Sequence, residues 1–363
     1  MLKIDLDASE GANGIAAGLI GIPGTPATSL TVKGSGPLTD FAADVALRTD
    51  GEDRLAGKVT LTGVETGGIG FGVDLAGDLA PLFLPDYATF FGNNVQLAAT
   101  GTRHADGRLD LADLSLKANA MNVQGSLALS SDGLPQQFDL TAQIANPRGG
   151  PVLLPLTSDV ETRLNSANVN LSFDTANDQG WKADIAVLGL DREDFQAREA
   201  RLTGSGRIAR LMGANTFGGT FKFLAAGLAP QDPDLARAIG DTVTGEASLR
   251  WREGDGEFTL QKLTLAGADY GASVSGHIEG LNDSFKVTGK AEVTAQDLSR
   301  FAGLAGQPIS GAGVVSVEGS GSPITGAFDV QAEVRGTDLA VGIAQVDQAL
   351  RGQSQVNADV LRD

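Results

Sequence analysis

The sequence has no cysteine and only two histidines among its 363 residues. The missing cysteine excludes a disulfide framework, a thiol nucleophile and a cysteine-ligated zinc site. His104 and His277 lie far apart along the chain and are expected on the surface. The sequence motifs of zinc proteases, serine hydrolases and P-loop NTPases are absent. We therefore predict that the protein is not an enzyme and that it holds no cofactor and no metal ion.

Long apolar runs and basic clusters are also missing. The most apolar stretch, Ile15–Ile22, is far shorter than the roughly 18 residues that a membrane-spanning helix needs. Acidic residues outnumber basic residues by 45 to 27, which gives a formal net charge of −18. Such a chain is repelled by phosphate backbones, so we expect no nucleic-acid partner.

Glycine is abundant instead, with 49 residues, and apolar residues alternate with polar ones along much of the chain. In residues 285–295, Phe285, Val287 and Val293 occupy one phase, and charged or hydroxyl-bearing residues occupy the other. Successive side chains of a strand point to opposite faces. Each such segment therefore predicts a strand with one apolar face and one polar face.

Turn sequences and short helical sequences separate these strands. Asp50-Gly51, Asp106-Gly107, Asp132-Gly133 and Gly254-Asp255-Gly256 favour tight hairpins, because glycine accepts the positive φ that such turns need. Four helical connectors are predicted at residues 81–91, 233–240, 297–304 and 341–350. The sequence thus predicts an all-β fold, a mostly antiparallel sheet of repeated meanders joined by short helices.

An internal repeat supports this organisation. Residues 107–116 match residues 256–265, and in both copies the apolar phase slips by one residue in the middle. A slip without turn residues predicts a β-bulge that bends the sheet. We interpret the whole chain, 1–363, as one elongated β array with approximate units 1–92, 93–165, 166–240, 241–306 and 307–363.

Three motifs that could bind a ligand have a simpler structural interpretation. Residues 204–209 fit the dinucleotide pattern Gly-x-Gly-x-x-Ala, but they continue one alternating strand, whereas that pattern needs a strand-to-helix turn. Residues 67–72 resemble a calcium β-roll repeat, but Gly72 stands where the liganding Asp belongs. Asp50, Glu52 and Asp53 are expected in a solvated hairpin turn rather than around a cation.

A sheet with one apolar face must cover that face with another sheet, with its own curl or with an apolar ligand. Many positions of the apolar phase are small, among them Gly125, Gly276 and Gly289. A close-packed sandwich needs volume at such positions. Small residues leave room for a bent backbone or a bound chain, although a core filled by its own side chains remains possible.

Residues 297–306 and 311–315 together resemble the TamB family of the AsmA-like superfamily of bridge-like lipid transfer proteins. The pairs Leu114-x-Leu116 and Leu263-x-Leu265, each followed by a glycine-centred strand, are similar to the degenerate repeat of that family. Residues 340–363 are also TamB-like. The resemblance extends over most of the chain.

The resemblance implies a long curled sheet, taco-like in section, with an apolar groove that carries phospholipid acyl chains between the inner and outer membranes. It implies a periplasmic location and a role in outer-membrane biogenesis and protein insertion. The family's N-terminal membrane helix and C-terminal barrel-docking domain are not evident. We therefore expect a segment of a longer protein, whose inner-membrane anchor and contact with an outer-membrane β-barrel partner lie in other regions.

The residues expected to line the groove share the apolar phase of their strands. They are Val123, Leu127, Phe138, Leu140, Val169, Leu171, Phe173, Phe221, Phe223, Phe285, Val287, Val315, Val317, Phe328 and Val330. The alternative is a structural or adhesive β-solenoid of a secreted or surface protein, in which the same residues form a closed core.

Overall fold

The computed structural model describes residues 1–65, 67–156, 160–177, 179–211, 213–254, 257–280, 285–322 and 324–362. Strands make up 64% of the protein and helices 11%. The strands form one large antiparallel sheet of 23 strands that is not closed. The predicted all-β fold with a repeated antiparallel meander is confirmed.

The strands are numbered in chain order. They are β1 Leu2–Glu10, β2 Thr28–Gly36, β3 Asp40–Thr49, β4 Glu52–Gly63, β5 Ile69–Gly77, β6 Val95–Arg103, β7 Leu109–Lys117, β8 Met121–Leu129, β9 Pro135–Ala145, β10 Val152–Leu153, β11 Thr162–Leu164, β12 Ser166–Asp174, β13 Gly180–Arg192, β14 Phe195–Leu211, β15 Ala214–Ala226, β16 Ala229–Pro230, β17 Thr242–Arg252, β18 Glu257–Ala266, β19 Tyr270–Glu279, β20 Lys286–Ala295, β21 Ser310–Ser322, β22 Ala327–Ala340 and β23 Gln353–Arg362.

The helices are short and lie between strands. They are α1 Ile15–Ile20, α2 Ala88–Phe91, α3 Pro233–Ile239, α4 Ala302–Ala305 and α5 Ala344–Ala349, with 3₁₀ turns at Ala80–Leu82, Pro85–Tyr87 and Leu298–Phe301. The four predicted connectors are confirmed, whereas α1 was not predicted as a connector. Among the described residues, none of the helices combines the length and the apolarity that crossing a membrane requires.

The predicted hairpin turns join antiparallel neighbours. Asp50 and Gly51 have φ of 50° and 83° between β3 and β4. Gly107, Gly133 and Gly254 also have positive φ, and each lies between two paired strands. Asp255 and Gly256, the rest of the last predicted turn, lie outside the described residues.

The two copies of the internal repeat each contain a bulge at the same place. In β7 the register shifts between Leu111 and Leu114, so Ala112 and Asp113 together oppose one residue of β8. In β18 it shifts between Leu260 and Leu263 in the same way. The bulge predicted from the slip in apolar phase is confirmed in both copies.

The chain divides into two compact units. Unit 1 comprises residues 1–175 and 185–189, and unit 2 comprises residues 176–184 and 190–363. Within unit 1, strands β1 to β9 pair in chain order, and β9 also pairs with β12. Within unit 2, β14 pairs with β15, β15 with β17, and β17 to β23 pair in chain order. The predicted subdivision into five repeat units stays a prediction.

Deeply buried side chains lie beside the connectors. Phe90 of α2 packs with Ala120 and Val152, and partly buried Met121 and Ile144 surround them. Ala17 of α1 is fully buried, and Ala238 of α3 is almost fully buried. The connectors therefore anchor on the sheet through small or aromatic side chains.

Candidate functional site

The pairing registers group the predicted lining residues of unit 1 on a single face. Directly opposed residues of an antiparallel pair point to the same face of the sheet. Across β8, β9 and β12 the opposed residues form three rows, which are Val123–Ala142–Val169, Gly125–Leu140–Leu171 and Leu127–Phe138–Phe173. All seven predicted residues of this region lie in these rows.

The first two rows continue through every strand from β1 to β7. The first continues through Leu6, Val32, Val45, Gly57, Leu75, Leu97 and Leu116, and the second through Ile4, Gly34, Ala43, Val59, Val73, Ala99 and Leu114. We call the surface formed by these rows the unit 1 apolar face. It crosses ten paired strands, and its rows contain no charged residue.

Unit 2 has an equivalent surface across nine paired strands, the unit 2 apolar face. It has two central rows. The first runs through Leu202, Phe223, Gly245, Leu265, Ala272, Val293, Val315, Val334 and Val356. The second runs through Gly204, Phe221, Ala247, Leu263, Val274, Ala291, Val317, Ala332 and Ala358. Flanking rows run through Gly276, Gly289, Gly319, Val330, Val360 and through Ile278, Val287, Gly321, Phe328.

Seven of the eight lining residues predicted in unit 2 lie on this face. The eighth, Phe285, does not: β20 begins at Lys286, and Phe285 has a φ of 42° and donates its N–H to the carbonyl of Gly280 over 2.9 Å. The alternating pattern of the sequence extends one residue beyond the strand itself, because Phe285 precedes β20.

Parts of the unit 2 apolar face are open to solvent. Val287 and Val293 are each 37% exposed, and Val356 and Val360 of β23 are 46% and 50% exposed. An aliphatic side chain in a packed core is almost fully buried. This part of the face is therefore available to an apolar partner.

Another part of the same face is covered by the protein itself. Trp181 is only 6% exposed and stacks on Phe217 with ring centroids 5.4 Å apart. Its indole N–H donates to the carbonyl of Gly218 over 3.1 Å, and its ring lies over Gly204 and Gly219. The small residues here make room for Trp181, so at this place the core-filling interpretation is the correct one.

The row formed by Gly276, Gly289 and Gly319 in β19, β20 and β21 consists of glycine for a different reason. A Cβ on Gly289 would lie 2.6 Å from the carbonyl oxygen of Ser275, and a Cβ on Gly276 would lie 2.6 Å from that of Thr288. Real Cβ atoms are not found so close to backbone. The close approach of neighbouring backbones, rather than a buried side chain, requires glycine there.

The opposite face of unit 2 is polar and carries a wide depression. This depression has a volume of about 820 Å³ and is lined by side chains of the polar phase, including Lys290, Glu318 and Glu333. This recess thus lies on the polar face of the sheet and not on the unit 2 apolar face. The predicted taco-like curl and apolar groove are not confirmed.

The ionisable groups that the sequence offered are engaged in local pairs. His104 is half-buried, and its Nε2 lies 2.5 Å from Asp110, so the expectation of a solvated His104 is wrong. The Nε2 of His277 lies 3.4 Å from Glu279. Asp53 pairs with Arg48 over 2.6 Å, and Asp50 accepts the N–H of Ala27. Within the described ranges, no three acidic or histidine side chains are placed to hold a metal ion.

The two other glycine motifs lie in ordinary sheet structure. Residues 204–209 lie inside the continuous strand β14, which removes the strand-to-helix turn that a dinucleotide site needs. In residues 67–72, Gly67 belongs to a turn and β5 begins at Ile69. Neither segment forms a ligand-binding loop.

Comparison of the chain with family models, with curated proteins and with solved structures gave no match in any of the three.

Proposed function

We propose that the chain is a segment of a bridge-like lipid transfer protein, similar to the TamB family, whose apolar faces hold phospholipid acyl chains. The single observation that carries the proposal is the continuity of the apolar rows, which run across ten strands in unit 1 and nine in unit 2 without a charged residue in their central positions. A ligand with a long apolar chain matches a long apolar row.

The driving force for binding is desolvation. An acyl chain that lies on Val287 and Val293 removes apolar surface from water, which is worth about 25 cal/mol per Å². Because neighbouring rows present similar side chains, a chain can move along the face between sites of similar free energy. Such a conduit needs no covalent chemistry.

The proposed cellular setting follows the family resemblance. The segment lies in the periplasm of a diderm bacterium, in a protein anchored in the inner membrane, and supports outer-membrane biogenesis and protein insertion. In this setting the apolar faces line the concave side of a curled sheet. A β-barrel partner contacts regions other than this segment.

Site-specific photo-crosslinking tests the proposal. A photoreactive phenylalanine analogue at position 293 lies on the apolar face, and one at position 294 lies on the polar face of the same strand. We expect crosslinks to phospholipid from position 293 and a much weaker signal from position 294. Equal signals at the two positions, or none at either, would contradict the proposal.

Transfer of fluorescent phospholipid between vesicles gives an independent test. Val287→Asp places a charge on a half-exposed position of the unit 2 apolar face, so the fold is retained while transfer is lost. Thr288→Asp is the control, because residue 288 points to the polar face. Full transfer by Val287→Asp would exclude this face as the path.

The alternative, a structural or adhesive β-protein, is favoured by one observation. Trp181 fills the space above the glycines of β14 and β15, as expected for a self-filled core. In that case lipid should be absent from the purified protein, and Val287→Asp should have no effect on any lipid assay.

A further inference from the structure

Unit 1 contains an apolar cavity between its first strands and two connectors. The cavity has a volume of about 550 Å³. Leu30 and Leu47 of the sheet form its floor, Ile20 of α1 borders one side, and Phe83 and Leu84 border the other. Phe83 is held in place by stacking on Phe91, with ring centroids 4.0 Å apart. The wall opposite α1 is therefore fixed to the packed interior around α2.

The chemistry of the cavity excludes a charged or strongly polar ligand. None of the described residues that line it is Lys, Arg or His, so an anionic headgroup finds no partner inside. The one lining carboxylate, Glu10, already accepts the N–H groups of Ala16 and Ala17 over 3.0 Å and 2.7 Å and the hydroxyl of Thr28 over 3.2 Å. The rest of the lining is mostly apolar, with a few hydroxyl-bearing side chains.

The rim of the cavity is apolar as well. Ile20 of α1 and Leu84, which line the cavity, are 75% and 53% exposed, and Ile15 and Leu19 of α1, outside the lining, are 79% and 83% exposed. The outer side of a surface helix is normally polar. Because Ala17 anchors the inner side of α1 on the sheet, both sides of this short helix are apolar. An apolar surface therefore extends from inside the cavity to the exposed side of α1.

We propose that this cavity binds the single hydrocarbon chain of an amphiphile, such as a fatty acid, with α1 as its rim and the headgroup in solvent. Its volume falls within the range of about 300–1,000 Å³ typical of small-molecule sites. Dry apolar cavities take up apolar molecules readily. Leu30 and Leu47 are in phase with Val32 and Val45, so the cavity floor lies on the same side of the sheet as the unit 1 apolar face. The site goes beyond the proposed function, because it holds one chain whether or not that face carries phospholipid.

The test is a fluorescence titration of the full chain with cis-parinaric acid, a fluorescent fatty acid. We expect saturable binding of one molecule per chain. Leu30→Trp fills the cavity and should weaken binding at least tenfold. Leu235→Trp is the matched control, since Leu30 and Leu235 are equally exposed at 37% but Leu235 lies on α3, outside the cavity and outside both apolar faces. It should bind as the wild type does.

A second pair of variants keeps the test decisive if Leu30→Trp does not fold. Ile20 lines the cavity, whereas Leu19, its neighbour on α1, does not. Ile20→Asp should weaken binding at least tenfold, and Leu19→Asp should weaken it less than twofold. Both positions are highly exposed, so circular dichroism should be unchanged.

The site would be overturned in favour of general adsorption to apolar surface if Ile20→Asp and Leu19→Asp weakened binding equally, or if Leu30→Trp and Leu235→Trp did. Unweakened binding in Leu30→Trp and Ile20→Asp would also overturn it. The outcome is separable from that of the conduit. Phospholipid crosslinking at position 293 without Leu30-sensitive binding of cis-parinaric acid would leave only the conduit, and the reverse result would leave only the cavity.

Discussion

Two small groups of residues, one around Trp181 and one around Glu10, hold local structure that alternation alone does not specify. Trp181 reaches across to the glycines of β14 and β15. Glu10 closes the first connector by accepting the first N–H groups of α1, and Gly14 leaves the space that its carboxylate occupies. Both contacts join positions that no regular pattern relates.

Removal of the Trp181 side chain should destabilise unit 2 strongly. Truncation of a buried aromatic residue costs about 3–5 kcal/mol, because it removes apolar burial and leaves a cavity. We expect Trp181→Ala to lower the free energy of unfolding in urea by that amount. Trp251→Ala is the matched control, since Trp251 is 36% exposed and Trp181 is 6% exposed. Equal losses from the two variants would show that Trp181 does not fill a core.

The attachment of α1 should depend on pH through Glu10. The N–H groups of Ala16 and then Ala17 lower the pKa of the Glu10 carboxyl below its ordinary value of 4.5. A lowered pKa in the folded state stabilises the fold above the pKa of the unfolded chain, and this stabilisation is lost as pH falls through the lowered value. We expect the amide protection factors at Ala16 and Ala17 to decrease when the pH is lowered below 4.5.

Glu10→Gln provides the control for this pH effect. The amide side chain can still accept a hydrogen bond but carries no charge, so protection at Ala16 and Ala17 should be weak at neutral pH and should not change on acidification. A wild-type protein whose protection factors stay constant from pH 7 to pH 3 would contradict the assigned role of Glu10.

At the scale of the strand, the bulges keep both halves of β7 and β18 on the correct face. Leu260 and Leu263 are three positions apart, yet both face the same way, because Gln261 and Lys262 share one opposing residue. Regular alternation would turn one of these leucines to the polar side. The bulge is therefore a structural feature of the repeat and not a local defect of one strand.

Deletion of Gln261 should be tolerated far better than deletion of a residue from a regular strand. Without Gln261, Leu260 and Leu263 stand two positions apart and remain on one face. Deletion of Glu292 from β20 reverses the faces of half of that strand, because β20 pairs without a bulge. We expect a small fall in melting temperature for the first variant and loss of cooperative folding of unit 2 for the second. Similar melting curves would contradict the assigned pairing.

The strand faces, hairpin turns and bulges are largely predictable from the sequence because the residues that determine them are close together in the chain. Alternation identifies which residues share a face, Asp50-Gly51 sets a hairpin, and the phase slip near Leu111 marks a bulge. Phe285 was misplaced because a residue outside a strand can continue an apolar phase by chance. α1 was missed as a connector because its apolar residues, flanked by Gly14 and Gly21, resemble no amphipathic helix.

The position of Trp181 and the shape of each apolar face were not predictable in the same way. Trp181 touches Gly218, which is distant in sequence, and its placement depends on the twist of strands β14 and β15. Whether a face is concave depends on the sum of such twists and of the bulges. No single residue pattern encodes that sum.

At the scale of the whole molecule, charge should govern which membranes exchange lipid through the proposed conduit. The net charge of −18 repels anionic surfaces over about one Debye length, which is about 10 Å at 0.1 M salt and 3 Å at 1 M. We expect phospholipid transfer to anionic vesicles to be slower than transfer to zwitterionic vesicles at low salt. The difference should shrink as salt is added.

Cationic vesicles supply the control, because attraction predicts faster transfer at low salt and a loss of that advantage at high salt. Rates that are independent of vesicle charge would show that encounter with the membrane does not involve the charged surface of this segment.

The order of strand pairing in β17 to β23 has a mechanical consequence. In the part of the chain that the structure describes, each strand from β18 to β22 is hydrogen-bonded to the strand before it and to the strand after it. A force applied to β23 across its ladder loads one hairpin at a time, since stability in such arrays is a sum of nearest-neighbour terms. Under tension this part of unit 2 should unfold in small successive steps of about one strand each. When the force is released, the strands should pair again in the reverse order.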